Sequence, residues 1–214
     1  MKRIDFMVFD FDGTLVNTGH DIVNAVNHMR QELNEPLLDK DTVMRYIGDG
    51  VNKLIERSLD KGRITEFDRA KKIFLSYYET HLFDTTTLYP GARETLDYFD
   101  NTRKVIITNK NEYLTLKIVK HFGIEHYFEE ILGIDSKSYA KPDERLLLPY
   151  LDRFSAGKRS TLVIGDGVND ILFARNARVL SCALLNGLGD RDELIAMNPD
   201  FYCEEMKDLR MLFY

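Results

Sequence analysis

The chain has 214 residues, enough for one sizeable domain or for one domain carrying a smaller inserted one. With 44% hydrophobic and 30% charged residues it can bury a core, and its composition is not that of a disordered chain. Twenty-nine Lys and Arg against 35 Asp and Glu leave a net charge of −6, a balance that disfavours duplex nucleic acid and anionic membrane surfaces as partners. No apolar run approaches the length of a membrane span. Lys2-Arg3 opens like the charged start of a signal peptide, but Asp5 and Asp10 break the apolar stretch and no small-residue cleavage site follows. Cys182 and Cys203 have neither metal nor redox spacing, so two reduced thiols in a cytoplasmic protein are expected.

The first element is the continuous apolar run Phe6–Phe9, which stops at Asp10-Phe11-Asp12-Gly13-Thr14. That pattern predicts a buried parallel strand ending in a functional loop. No comparable run follows up to Thr87. Instead Ile22, Val23, Val26, Met29 and Leu33 share one helical face, stopped near Asn34 and Pro36. Gly48-Asp49-Gly50 breaks the chain before Val51, Leu54 and Ile55, and Phe67, Ala70, Phe74, Tyr77, Tyr78 and His81 mark a further helix with Thr65 as its expected N-cap. The block reads as an inserted helical bundle with hinges at 16–18 and 85–89. Within it Phe67, Tyr77 and Tyr78 read as core rather than as a platform for stacking bases.

Beyond the insert, strands are predicted at 104–108, 161–165 and 181–185. Helical patterns separate them: Leu114, Ile118, Val119 and Phe122, closed by Gly123, and then residues 146–154. Pro149 falls inside the latter pattern and predicts a kink or a late start. Alternating strands and helices predict an α/β fold, a Rossmann-like three-layer core around a parallel sheet. The core is assigned to residues 1–15 and 88–214, and an α-helical cap to 16–87. Such sheets bind ligands outside the carboxyl ends of their strands. The five histidines show no ligand spacing.

Four polar clusters lie at or near those ends. Asp10 and Asp12 stand two apart, with Gly13 permitting a tight turn; a capped polar loop is the plainer alternative. Thr108-Asn109-Lys110 offers a hydroxyl and backbone amides to an anion, although capping a helix is the commoner role of Thr and Asn. Lys141 precedes Pro142, which is expected to open the next helix at its first position and so to fix the direction of the lysine. Asp166 and Asp170 flank Gly167, Val168 and Asn169 after another buried strand.

In this order, Asp10-Phe-Asp-Gly-Thr-Leu, Ile107-Thr-Asn-Lys, Ala140-Lys-Pro and Gly165-Asp-Gly-Val-Asn-Asp resemble the haloacid-dehalogenase superfamily of phosphohydrolases, over essentially the whole chain. Tyr46-Ile-Gly-Asp-Gly-Val-Asn-Lys-Leu-Ile, Leu88-Tyr-Pro-Gly-Ala and Pro199-Asp200 resemble its phosphoglycolate phosphatase-like branch. The chain departs from that branch at Asn17, Thr18, Glu144 and Gly167, which bears on the substrate rather than on phosphoryl transfer.

The resemblance implies a phosphatase acting on a small phosphorylated metabolite, with 2-phosphoglycolate the first guess. It implies a cation held by the Asp10 carboxylate, the Asp12 backbone carbonyl and the Asp166 carboxylate. Asp170 would bind it directly, act through water, or hold Lys141. A phosphate gathered among this many carboxylates needs a divalent cation, and an all-oxygen ligand set suits Mg²⁺. In the implied mechanism Asp10 attacks phosphorus to form an aspartyl-phosphate, and Asp12 protonates the leaving alkoxide and then deprotonates water. Thr108, Asn109 and Lys141 would hold the phosphoryl oxygens. The cap residues expected near the leaving group are Arg45, Gly48, Asp49, Gly50, Asn52 and Lys53, although Arg and Lys on a helix are usually solvated. The same chemistry would serve a nucleoside monophosphate, a sugar phosphate or pyrophosphate, or a phosphomutase. A signalling receiver or an idle binding protein is the alternative of a different class. Monomer and homodimer both remain open.

Overall fold

The computed structural model covers residues 1–214. In chain order the elements are β1 (Phe6–Phe9), β2 (Val16–Asn17), α1 (Gly19–Glu32), α2 (Lys40–Met44), α3 (Val51–Ser58), α4 (Phe67–Thr80), β3 (Thr87–Leu88), α5 (Ala92–Tyr98), β4 (Arg103–Ile107), α6 (Glu112–His121), β5 (Glu130–Leu132), α7 (Leu148–Arg153), β6 (Thr161–Gly165), α8 (Val168–Ala177), β7 (Leu180–Leu184), α9 (Arg191–Ala196), β8 (Phe201–Cys203) and α10 (Leu209–Leu212). Six strands form one parallel sheet in the order β5-β4-β1-β6-β7-β8, which is the α/β architecture expected.

Every residue of β1 is buried because the strand lies at the sheet centre with both faces covered. Met7 and Phe9 pack on one face with Leu96 of α5 and Ile118 of α6. Phe6 and Val8 pack on the other with Tyr150 of α7 and Phe173 of α8. A strand buried on both faces reads as a continuous apolar run, which is why β1, β4, β6 and β7 were legible. The edge strands β5 and β8 were not expected. Each has three residues, and their burial is too uneven to leave a run.

Residues 16–87 hold α1 to α4. The two 14-residue helices α1 and α4 pack together through Val26, Met29, Phe74 and Tyr78. Where hinges were expected, β2 and β3 pair antiparallel, Val16 opposite Leu88 and Asn17 opposite Thr87. The Asp21 carboxylate accepts from the backbone N–H and the hydroxyl of both Thr85 and Thr86 at 2.6–3.1 Å. Thr65 does not cap α4: residues Ile64–Glu66 form a 3-10 turn, and α4 starts from Glu66 with no side-chain cap. Pro149 produces a late start, since α7 begins at Leu148 after a separate 3-10 turn. Pro142 does not open that helix. Asp143 caps the 3-10 turn instead, accepting from the Arg145 N–H at 3.0 Å. A carboxylate at that place supplies the acceptor a helical start needs, and proline cannot.

Arg30 is buried in the insert, 2.8 Å from Glu35 and 2.9 Å from Asp60, and also donates to the Ser58 carbonyl. The Glu35 side chain is 1% exposed, and its other cation, Arg63, is 3.5 Å away. Removing one partner of such a pair strands the other in low dielectric. Arg30→Met is therefore expected to lower stability by about 3 kcal/mol, whereas the double variant with Glu35→Met recovers part of that loss. Urea unfolding of the single and double variants checks this. No helix is long and apolar enough to cross a membrane.

Candidate active site

The carboxyl ends of β1 and β6 are adjacent, so their acidic loops meet. Ligand oxygens of Asp10, Asp166 and Asp170 all lie within 4.8 Å of one another. Gly13 makes the approach possible. It sits at φ +83°, and a Cβ there would fall 1.9 Å from Asp166 Oδ2. Thr14 Oγ1 donates to Asp166 Oδ1 at 2.7 Å. Asp170, in the first turn of α8, accepts from the Gly167 N–H at 3.1 Å.

Lys141 supplies the one ammonium inside this cluster, 2.6 Å from Asp170 Oδ1 and 2.8 Å from Asp10 Oδ1. The contact to Asp10 lacks hydrogen-bond geometry, so Asp10 Oδ1 is buried without a hydrogen-bond partner. Burial opposes the charge on Lys141, but Asp10 and then Asp170 outweigh it and hold the lysine protonated well beyond its ordinary range. Burial first, and the Asp10 charge second, push the Asp166 carboxyl up to about 7. Asp170 moves the same way for the same two causes, with Lys141 opposing. Two buried carboxylates and a half-buried one, the last with an unbonded oxygen, against one lysine form a hard, all-oxygen donor set short of positive charge. It fits a divalent cation.

These shifts give stability a pH dependence. In the metal-free protein Asp166 and Asp170 take up protons in the folded state at a pH where the unfolded chain has released them. Their contribution to stability is complete below about pH 4 and is lost as pH rises to about 7. Thermal melts in EDTA should show that loss between pH 5 and 8, and saturating Mg²⁺ should flatten it.

On the other side of Asp10, β4 delivers Thr108, Asn109 and Lys110, all buried. Thr108 lines the cavity beside Asp10 and Asp12. Asn109, expected at the phosphate, directs its amide elsewhere. Its Oδ1 accepts from the Lys141 N–H at 3.1 Å, and its Nδ2 donates to the carbonyls of Gly48 at 3.1 Å and Lys141 at 3.3 Å. In this arrangement the side chain holds the lysine loop and the insert rather than an anion. Lys110 follows in the same loop. Its Nζ lies 3.1 and 3.2 Å from the Asp12 oxygens and 2.7 Å from the Tyr78 hydroxyl. Burial disfavours its charge, yet Asp12 and Tyr78 prevail and keep its pKa up at about 12. Thr18 completes the set by donating to Asp12 Oδ1 at 2.7 Å. Tyr78 is thus core, as expected, but its hydroxyl reaches across to the group that holds Asp12.

The 48–50 tip lies over the strand ends. Asn169 Nδ2 donates to Asp49 Oδ1 at 2.6 Å, and Asp49 Oδ2 pairs with Arg57 at 2.5 Å. Gly50 has φ +84°, and a Cβ there would come 3.0 Å from the Asn109 carbonyl. A cleft of about 760 Å³ opens between tip and strand ends; Arg45 and Asp49 line it together with Asp10, Asp166 and Lys141. Arg57 lines it too and was missed, because a lone helical Arg has no sequence signal. Asn52 and Lys53 do not line it. α3 turns Val51 and Leu54 toward the hollow beneath the tip and leaves Asn52 and Lys53 in solvent, Lys53 pairing with Glu56 at 2.8 Å.

Comparison with known proteins finds relatives along most of the chain. The chain is 33% identical over 201 residues to a phosphoglycolate phosphatase of Chromobacterium violaceum, covering 91% of this chain and 90% of that protein. It is 35% identical over 181 residues to one of Nitrosospira multiformis, covering 81% and 80%. The crystal structure of a predicted phosphoglycolate phosphatase from Haemophilus somnus 129pt superposes with a TM-score of 0.93 at 28% identity, over 99% of both chains. The haloacid dehalogenase-like hydrolase family model matches residues 7–184, and with strand order, motif placement and relatives in agreement, the chain belongs to that family.

Proposed function

We propose that the protein is a Mg²⁺-dependent phosphatase that hydrolyses a small phosphate monoester through an aspartyl-phosphate on Asp10, with 2-phosphoglycolate as its first candidate substrate. The observation that carries this reading is the convergence of Asp10, Asp166 and Asp170 around Lys141 at the strand ends. The names of the relatives support the substrate.

Asp10 and Asp166 through their carboxylates, and Asp12 through its carbonyl, would hold the cation, with Asp170 binding directly or through water. When bound, Mg²⁺ supplies the positive charge that lets a phosphate dianion approach the carboxylates. Asp10 attacks phosphorus, and the electron pair of the breaking P–O bond leaves with the alkoxide, which takes a proton from Asp12. In the second step Asp12 removes a proton from water as that water attacks the aspartyl-phosphate, freeing phosphate and Asp10. Thr108 and Lys141 hold the transferring oxygens. Residues 16–87 act as a cap over a core of 1–15 and 88–214, and closure brings cap groups over the leaving group and expels bulk water.

Of the exposed arginines that line the cleft, Arg57 pairs with Asp49 and Arg191 with Glu204, which leaves Arg45 to meet an acidic leaving group. Arg45→Glu is expected to raise KM for 2-phosphoglycolate about tenfold while leaving kcat for p-nitrophenyl phosphate unchanged. An unchanged KM dismisses its role. Phosphate release over a panel of glycolate, nucleoside and sugar phosphates and pyrophosphate, with Mg²⁺ and then with EDTA, tests the whole reading. Release with Mg²⁺ that EDTA stops is expected; no release from any of them contradicts it.

A further inference from the structure

The segment Gly187-Leu188-Gly189 follows β7 and belongs to none of the four motifs, yet it closes on Asp166. The Leu188 and Gly189 N–H groups both donate to Asp166 Oδ2, at 2.8 and 3.2 Å. Thr14 holds the other oxygen, so the carboxylate is fixed from two sides. The two glycines are tight against the same residue. A Cβ at 187 would lie 2.2 Å from Asp166 Cβ and 2.6 Å from Oδ2, and one at 189 would lie 1.8 Å from the Asp166 carbonyl oxygen.

The segment is anchored on both sides. Before it, the Leu185 N–H donates to the Cys203 carbonyl at 2.9 Å. After it, Asp190 caps α9, accepting from the Glu193 N–H at 2.9 Å. In the middle, the Leu188 side chain turns to the first residue of α1, where its Cδ2 would stand 2.9 Å from a Cβ on Gly19. A methyl group at 187 therefore presses on the Asp166 side chain from a segment held at both ends.

We propose that Gly187-Leu188-Gly189 is a positioning element for Asp166: its two N–H groups aim the carboxylate, and the bare α-carbon at 187 is required for that carboxylate to help hold a divalent cation. This rests on the cation reading given above. Neighbours that orient a ligating carboxylate commonly control affinity by one to two orders of magnitude.

Mn²⁺ binding, followed by electron paramagnetic resonance on the full chain, provides the test. Gly187→Ala, confirmed as folded by circular dichroism and a cooperative melt in EDTA, should raise the Mn²⁺ Kd about tenfold or more. A folded Gly187→Ala that binds within twofold of the parent overturns the proposal. Amide hydrogen exchange in EDTA gives a second test that needs neither that variant nor any cation. The Leu188 and Gly189 amides should exchange about tenfold faster in Asp166→Ala than in the parent, and equal rates overturn the proposal. A parent protein that binds no Mn²⁺ while its amides answer to Asp166 would sink the cation reading and leave the clamp standing, so the two failures are distinguishable.

Discussion

Asp10→Asn is expected to abolish turnover, lowering kcat by about 10,000-fold or more, the scale of losing a covalent nucleophile. The substitution keeps size and shape but removes a negatively charged oxygen. Within the cluster, Asp10 Oδ1 is the buried carboxylate oxygen that accepts no hydrogen bond, its one polar neighbour being the Lys141 ammonium at 2.8 Å. The Asn variant also relieves repulsion on Asp166 and Asp170, since Asp10 is the leading charge that raises both. It should therefore be at least as stable as the parent in EDTA at pH 8 while being inactive. Steady-state kinetics and urea unfolding, run together, separate loss of chemistry from loss of fold. Activity near the parent's would remove Asp10 as the nucleophile.

Lys141→Met is expected to cost both chemistry and stability. Its ammonium lies between Asp10 and Asp170, 2% exposed, and no other cation in the structure pairs with either of them. Loss of a group that neutralises charge on the transferring oxygens lowers kcat by about 1,000-fold. Stranding buried carboxylates costs about 3–5 kcal/mol. That penalty should shrink as pH falls. Without the ammonium the folded-state pKa of Asp170 rises further, so the folded state keeps its extra proton to higher pH, and stability goes on falling past about pH 7, where the parent's loss ends. Denaturation in EDTA at pH 5 and pH 8 should therefore separate variant from parent much more at the higher pH.

Much of this site was legible because its motifs end strands buried on both faces. Such strands write themselves as apolar runs, and a parallel sheet gathers whatever follows them. Lys110 with Tyr78 was not legible, because that contact joins residues 32 apart in sequence across two packed bodies, and sequence periodicity reports only that Tyr78 is buried. Asn52 and Lys53 lie outside the cleft for a reason periodicity alone does not weigh. They lie near the tip in sequence, but α3 had already spent its inward face on Val51, Leu54 and Ile55. Pro142 carried a helix-start signal that Asp143 supplies instead. Gly187-Leu188-Gly189 reads as an ordinary turn, since what marks it is the space Asp166 takes, and space is not written in residue types.

In the proposed reaction Asp10 and Asp166 share one divalent cation beside the carboxylate that accepts the phosphoryl group. A crystal grown with Mn²⁺ and beryllofluoride, measured at an anomalous wavelength, tests it most directly. The predicted result is a manganese peak in contact with Asp10 and Asp166 and a beryllofluoride joined to the Asp10 carboxylate. Manganese bound elsewhere, or an adduct on any other residue, would contradict it.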